Sequence, residues 1–211
     1  MCKSVIICLA IAACFSTVLG QSSPSSCSSA TGISFNNTDF AGKWLELARN
    51  PASNVSCITL NLAFWNYNNL LVNVSHSSSN VSTLVDVYET ANITLVANQV
   101  TGYNVSFING QKNETVFVKL LDYVNSTYLI GCSYDPNNVS KSAGFILGRS
   151  SYTPEGIKIA NNDASTKFSN FQNNTFGNVT QLDCRASSAG QTAPLTLISG
   201  FLALALLMLK A

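Results

Sequence analysis

Along the middle of this chain, apolar side chains recur at every second position in short runs. Over 70–75, Leu70, Val72 and Val74 hold one parity and Asn73 the other; over 103–107, Tyr103, Val105 and Phe107 alternate with Asn104 and Ser106. Successive side chains of a strand point to opposite faces, so a period of two marks strands with one buried and one solvated face, the half-covered antiparallel kind. Further β-prone runs fall at 43–48, 58–65, 83–88, 92–97, 115–123, 127–134, 144–148 and 179–184, with turn formers such as Asn109-Gly110 and Asp135-Pro136-Asn137 between them. Helical character is confined to 160–171, between the last two runs, and predicts one short helix packed outside the strands.

Eight to ten short strands with a single helix leave a β-sandwich or a closed barrel. An immunoglobulin sandwich wants a tyrosine two residues before its second cysteine, but Ile130 holds that place before Cys132. It also wants its core tryptophan on the strand after the first cysteine, whereas Trp65 ends the run that begins at Cys57. The expected fold is therefore all-β, a closed antiparallel barrel over 35–185, preceded by a Ser-rich arm at 21–34 that Cys27 ties down.

Both ends of the chain depart from this pattern. Residues 1–20 open with Lys3, run through an apolar stretch at 5–13 and finish in Val18-Leu19-Gly20, the order of a secretory signal peptide cleaved after Gly20. At the other end, the small residues 186–190 precede a polar spacer at 191–194 and an apolar run at 195–209, and the whole of 195–211 reads as a tail removed when a GPI lipid is attached. A short single membrane span is the competing reading; it needs about 20 apolar residues, and this run has 15, interrupted by Thr196, Ser199 and Gly200. Ser187 or Ser188 is the expected attachment residue, which places the protein on the outer face of the plasma membrane.

Without those ends, 9 basic residues (11 less Lys3 and Lys210) meet 10 acidic ones. No basic patch is available, and no nucleic-acid partner is expected. Charged residues make up only 10% of the chain, against about 25% in an ordinary soluble domain, so something else must solvate the surface. The chain has 24 Asn and 44 Ser plus Thr; random placement would give about five glycosylation sequons. There are eleven, at Asn36, Asn54, Asn73, Asn80, Asn92, Asn104, Asn113, Asn125, Asn138, Asn173 and Asn178. A glycan coat in place of ionic side chains is the expectation. Of seven cysteines, Cys2, Cys8 and Cys14 leave with the signal peptide; Cys27, Cys57, Cys132 and Cys184 remain, an even number that implies two disulfides of unresolved pairing.

The run Asp39-Phe40-Ala41-Gly42-Lys43-Trp44, leading into 45–51, resembles the first lipocalin motif, in which Gly-x-Trp enters the first barrel strand. Phe145-Ile146-Leu147-Gly148-Arg149 looks like the third motif, a strand ending in Arg, and Gln181-Leu182-Asp183-Cys184 is similar to the closing Gln-x-x-Cys. The second motif is degenerate: Gly131-Cys132-Ser133-Tyr134-Asp135 keeps the Tyr without the Asp ahead of it. The resemblance implies an eight-stranded up-and-down lipocalin barrel with one short C-terminal helix. It implies Gly42, Trp44 and Arg149 as a structural motif, the guanidinium stacked on an indole that plugs the floor. It also implies the pairings Cys27 with Cys132 and Cys57 with Cys184. Glycans and a lipid anchor make the chain most similar to the insect Lazarillo and apolipoprotein D branch.

Catalytic chemistry is sparse. His76, the only histidine, sits in a polar stretch between two sequons and reads as a solvated loop residue; with it alone and the cysteines oxidised, no metal site, cofactor or enzymatic activity is expected. The prostaglandin-isomerising lipocalins need a free thiol, and none is expected. Glu89 falls on the apolar parity of its run and is either a polar anchor inside a pocket or turned outward by a bulge. Two functions remain. A calyx lined by Val72, Val74, Val85, Val87, Tyr103, Val105, Phe107, Val116, Val118 and Leu120 would bind a small hydrophobic ligand of lipid, fatty-acid or sterol type, unless those side chains fill the interior themselves. Alternatively, the barrel is a surface recognition or adhesion module that meets an extracellular protein partner through loops and glycans.

Overall fold

The computed structural model describes residues 24–34, 37–66, 69–95, 99–109, 112–172 and 176–187. The expected signal peptide, Ser188 and the apolar tail lie outside them. Eight strands follow one another around a ring: β1 (Gly42–Asn50), β2 (Thr59–Asn66), β3 (Asn69–Ser77), β4 (Leu84–Thr94), β5 (Tyr103–Asn109), β6 (Lys112–Val124), β7 (Tyr128–Asp135) and β8 (Asn138–Gly148). Each pairs antiparallel with the next, and β8 returns to pair with β1, which closes the barrel. A short helix, α1 (Asn37–Phe40), enters β1 at the closed end.

The strand reading needs two corrections. The runs at 83–88 and 92–97 are one strand, β4, because Glu89 keeps its inward place between Val87 and Ala91 and the pairing with β3 continues past it. The run at 179–184 is no strand. It is an irregular crossing between β9 (Gly177–Asn178), paired with β1, and β10 (Arg185–Ala186), paired in parallel with β4. This crossing has a structural task. β2 pairs with β1 only as far as Leu45 and Thr59, and above that point the C-terminal segment takes its place: Val179 N–H donates to the Leu47 carbonyl at 2.9 Å, and Cys57 N–H to the Thr180 carbonyl at 2.8 Å.

The long helix, α2 (Pro154–Lys167), starts six residues before the expected 160. The overlooked signal is Thr153-Pro154-Glu155: the Thr153 hydroxyl accepts the Gly156 N–H at 3.1 Å, and proline takes the first turn, where its missing N–H costs nothing. Two apolar layers result. Inside the ring, side chains of alternate residues form one cluster, including Trp44, Leu62, Val72, Val105, Val116 and Leu147. Outside it, α2 and the N-terminal arm cover the outer faces of β1 and β6–β8, where Leu47, Leu121, Ile130 and Ile146 pack against Ala160, Ala164 and Phe171.

Candidate functional site

The closed end is built on Trp44, which has no exposed surface. Its indole N–H donates to the Phe40 carbonyl at 2.9 Å, and the Arg149 guanidinium carbon lies 3.7 Å from its ring centroid. Arg149 then donates to the carbonyls of Lys43 at 2.6 Å, Asp39 at 2.7 Å and Ala41 at 3.0 Å. One planar cation thus stacks on the floor and ties down the chain that enters β1. Gly42 has φ of +95°, where any other L residue is strained, and a Cβ there would sit 3.2 Å from the Arg149 guanidinium. The Gly-x-Trp spacing therefore has a steric basis.

Above the floor is an apolar cavity of about 50 Å³, counted as room for the centres of water-sized spheres. A single water needs about 10–15 Å³ by that measure, so the barrel interior is not completely filled by its own side chains. Its belt is made of cross-strand neighbours: Leu62, Val72 and Ala91 on β2 to β4, then Ile93, Val105 and Val116 on β4 to β6. Of the residues expected to line a calyx, Val72, Val105, Val116, Val118 and Leu120 do line the cavity. Val74 and Tyr103 are buried in the same interior cluster but away from the cavity wall; Tyr103 packs 6.2 Å from Phe40, and burial pushes its phenol up to about 12. The Phe107 side chain lies outside the described residues. Sequence reasoning missed Leu60 and Leu62, which share a parity around Asn61, and Phe145 and Leu147, which share one in β8.

Val85 and Val87 correct the expectation more sharply. They are on the inward row of β4 but only half-buried and do not line the cavity. The reason is register. β5 pairs with β4 only from Ala91–Phe107 to Thr94–Asn104, so its end at Asn109 stands level with Glu89. Val87 and Val85 rise above that level, and the flank of β4 stays uncovered until β10 joins it at Leu84 and Val85.

Toward the mouth, the interior becomes polar. Glu46 lines the cavity and forms a two-pronged buried ion pair with Arg49: Nε donates to Oε1 at 2.5 Å and Nη2 to Oε2 at 2.9 Å. Residues three apart on a regular strand face opposite ways, but a register shift between Glu46 and Ala48 brings both inward. Glu89 is also buried on the inward row rather than turned out by a bulge, though it does not line the cavity.

His76 is the principal correction. It is no loop residue but stands on β3, next after Val74 on the inward row, and is only 2% exposed. Nδ1 lies 2.5 Å from the Ser77 carbonyl, and Nε2 is buried with no hydrogen-bond partner among the described residues. Burial holds the imidazole below its ordinary 6.5, with Arg49 adding to the effect; the Ser77 carbonyl, Asp86 and Glu46 act the other way. The local polar sequence hid this, because β3 continues through it to Ser77. Among the described residues, no three His, Cys, Asp or Glu side chains are grouped to hold a metal ion.

Disulfides join Cys27 to Cys132 and Cys57 to Cys184. The first pins the arm across β6 and β7, where Lys119 Nζ donates to the Ser28 and Ala30 carbonyls at 2.8 Å each. The second fastens the C-terminal crossing at the mouth, aided by Gln181, whose amide donates to the Glu46 and Ile58 carbonyls at 2.8 and 2.9 Å. Eight sequon asparagines have described side chains, Asn54, Asn73, Asn80, Asn92, Asn104, Asn125, Asn138 and Asn178, and all are exposed. Asn36, Asn173 and the Asn113 side chain lie outside the described residues.

No protein-family model matches the chain, and no curated protein matches it in sequence. Solved structures do match. Insecticyanin from the tobacco hornworm Manduca sexta is similar at a TM-score of 0.58 and 18% identity over 78% of this chain and 92% of its own. H1 crustacyanin from the lobster Homarus americanus gives 0.54 and 16% over 75% and 89%. A biogenic amine-binding protein gives 0.50 and 15% over 67% and 80%. At these identities the likeness speaks for architecture alone. A closed eight-stranded meander, a floor tryptophan under an arginine, one outer helix and these lipocalin neighbours together identify the fold as the lipocalin barrel.

Proposed function

We propose that this protein is an exported, glycosylated lipocalin-like carrier, held on the outer face of the plasma membrane by a GPI lipid, whose barrel binds a small hydrophobic ligand. The observation that carries the reading is the apolar cavity between the Trp44 floor and the polar mouth, walled by alternate residues of successive strands. Burying a ligand there is worth about 25 cal/mol per Å² of apolar surface removed from water. That one of the similar structures is named a biogenic amine-binding protein supports small-ligand binding as a use of this architecture. Placement in the Lazarillo and apolipoprotein D branch rests on the sequons and the anchor signal in the sequence.

Anchorage gives the barrel an orientation. Ser187 N–H donates to the Val85 carbonyl at 2.9 Å, so a lipid attached at Ser187 or Ser188 leaves from the mouth end and turns the opening toward the membrane. Phosphatidylinositol-specific phospholipase C should release the protein from intact cells. A protein that stays bound and retains the 195–209 peptide is a spanning protein instead.

Native mass spectrometry of the released, deglycosylated protein tests the carrier reading: a stoichiometric small apolar molecule is expected. A second reading, a recognition module, is favoured by the exposed sequons and by Trp65, 70% exposed beside Phe64 at the closed end. A barrel that is empty and refuses hydrophobic probes belongs to that reading.

A further inference from the structure

We propose that the ligand of this barrel carries a hydroxyl head, which donates its hydrogen bond to Nε2 of His76 while the apolar body lies in the cavity below. The inference rests on the carrier reading and adds the chemistry of the head group. Its starting point is an unsatisfied atom. A buried polar group without a partner forgoes the hydrogen bond it had with water, and Nε2 of His76 is such a group among the described residues.

The role of that nitrogen follows from its sister. The Ser77 carbonyl can only accept, so Nδ1 is the donor across their 2.5 Å contact. In the neutral ring, Nε2 is then a lone pair seeking a donor, and burial favours the neutral ring. Position supports access. Val72 lines the cavity, Val74 comes next on the same row and His76 next again, about 13 Å from Val72 along β3 at the usual strand rise. The cross-strand neighbour of His76 is Val87, half-buried on the uncovered flank of β4. His76 thus stands on the inward row beyond the cavity wall, between the apolar belt and that flank.

The surroundings select among heads. A carboxylate would face the Nε2 lone pair and the Glu46 carboxylate, and the nearby cation, Arg49, is already held by both oxygens of Glu46. An ammonium would have to be buried beside a carboxylate already engaged with Arg49. A hydroxyl brings the donor without a charge.

The test is titration calorimetry of the purified whole protein with four ligands of one chain length: 1-decanol, its methyl ether, decanoate and decylamine. Decanol should bind about tenfold or more tighter than the ether, which cannot donate, and than decanoate. His76→Leu should bring decanol down to the ether's affinity and leave the ether unchanged, while His76→Gln should recover part of the preference. The wild-type series alone decides the matter if a variant does not fold. Equal affinities for decanol and ether, or decanoate as the tightest ligand, would overturn the inference and leave the carrier reading intact. Decylamine as the tightest ligand also overturns it, since a carboxylate rather than His76 would then hold the head. If none of the four binds, the carrier reading fails and the inference falls with it.

Discussion

The two halves of the barrel wall share an inner face and differ on the outer one. β7 is buried on both sides from Tyr128 to Ser133, because α2 and the arm cover its outer face, and its sequence shows no alternation there. β3 and β4 carry the sequon asparagines Asn73 and Asn92 on their outer faces, exposed to water. The covered half obtains its outer contacts from the protein. The open half relies on asparagine, hydroxyl groups and the proposed sugar for solubility in a chain with few charges. The lesson is that alternation reports what lies outside a barrel strand, since the cavity wall inside is apolar except for Glu46.

The largest expected effect comes from the floor on which both halves stand. Trp44→Ala should destabilise by about 3 to 5 kcal/mol, the usual cost of truncating a buried large aromatic, read as a fall in denaturation midpoint. An unchanged midpoint would remove Trp44 from the stabilising core and leave Arg149 without its support.

Breaking one disulfide at a time sharpens the contrast. Cys27→Ser with Cys132→Ser frees the arm from the covered half, and Cys57→Ser with Cys184→Ser frees the crossing at the mouth; either pair should cost about 2 to 5 kcal/mol. Hydrogen exchange distinguishes them. The first should raise exchange in β6 and β7, the second in β1 and at the top of β4, and a uniform rise from both would mean the two halves open together.

A smaller effect separates the inner face from the outer. Because burial lowers the pKa of His76, the unfolded imidazole takes a proton more readily than the folded one. Stability from this group is full above the unfolded value near 6.5 and declines as pH falls below it, by at most about 1.4 kcal/mol per pH unit. Denaturant titrations between pH 7 and pH 5 should show that slope, and His76→Leu should flatten it. An unchanged slope in the variant would place the imidazole in solvent.

The smallest effect belongs on the open outer face. Asn92→Gln should remove one proposed glycan, seen as a mass loss, and shift stability by no more than about 0.5 kcal/mol, as exposed substitutions usually do. A larger loss would mean that the sugar packs on the wall as α2 does on the covered half.

The sequence by itself determined the barrel, the inward parity of β3 and β5, and the motif residues Gly42, Trp44 and Arg149, because period and motif are properties of neighbouring residues. The disulfide pairing came with the resemblance those motifs carry; spacing alone left three choices. The start of α2 is also legible in Thr153-Pro154-Glu155, a local signal of capping residue and first-turn proline. What only the tertiary structure decided is the upper interior. Glu46 and Arg49 face the same way because a bulge reverses the parity between them. Val85 and Val87 lose their cover because β5 ends below them. His76, with serines on either side, has no local mark of burial; it is enclosed because β3 runs on through it along the inward row, and Glu46 and Arg49, some thirty residues earlier, lie near enough to act on its charge. Burial depends on what the rest of the chain places nearby, and no local pattern around a polar residue records that.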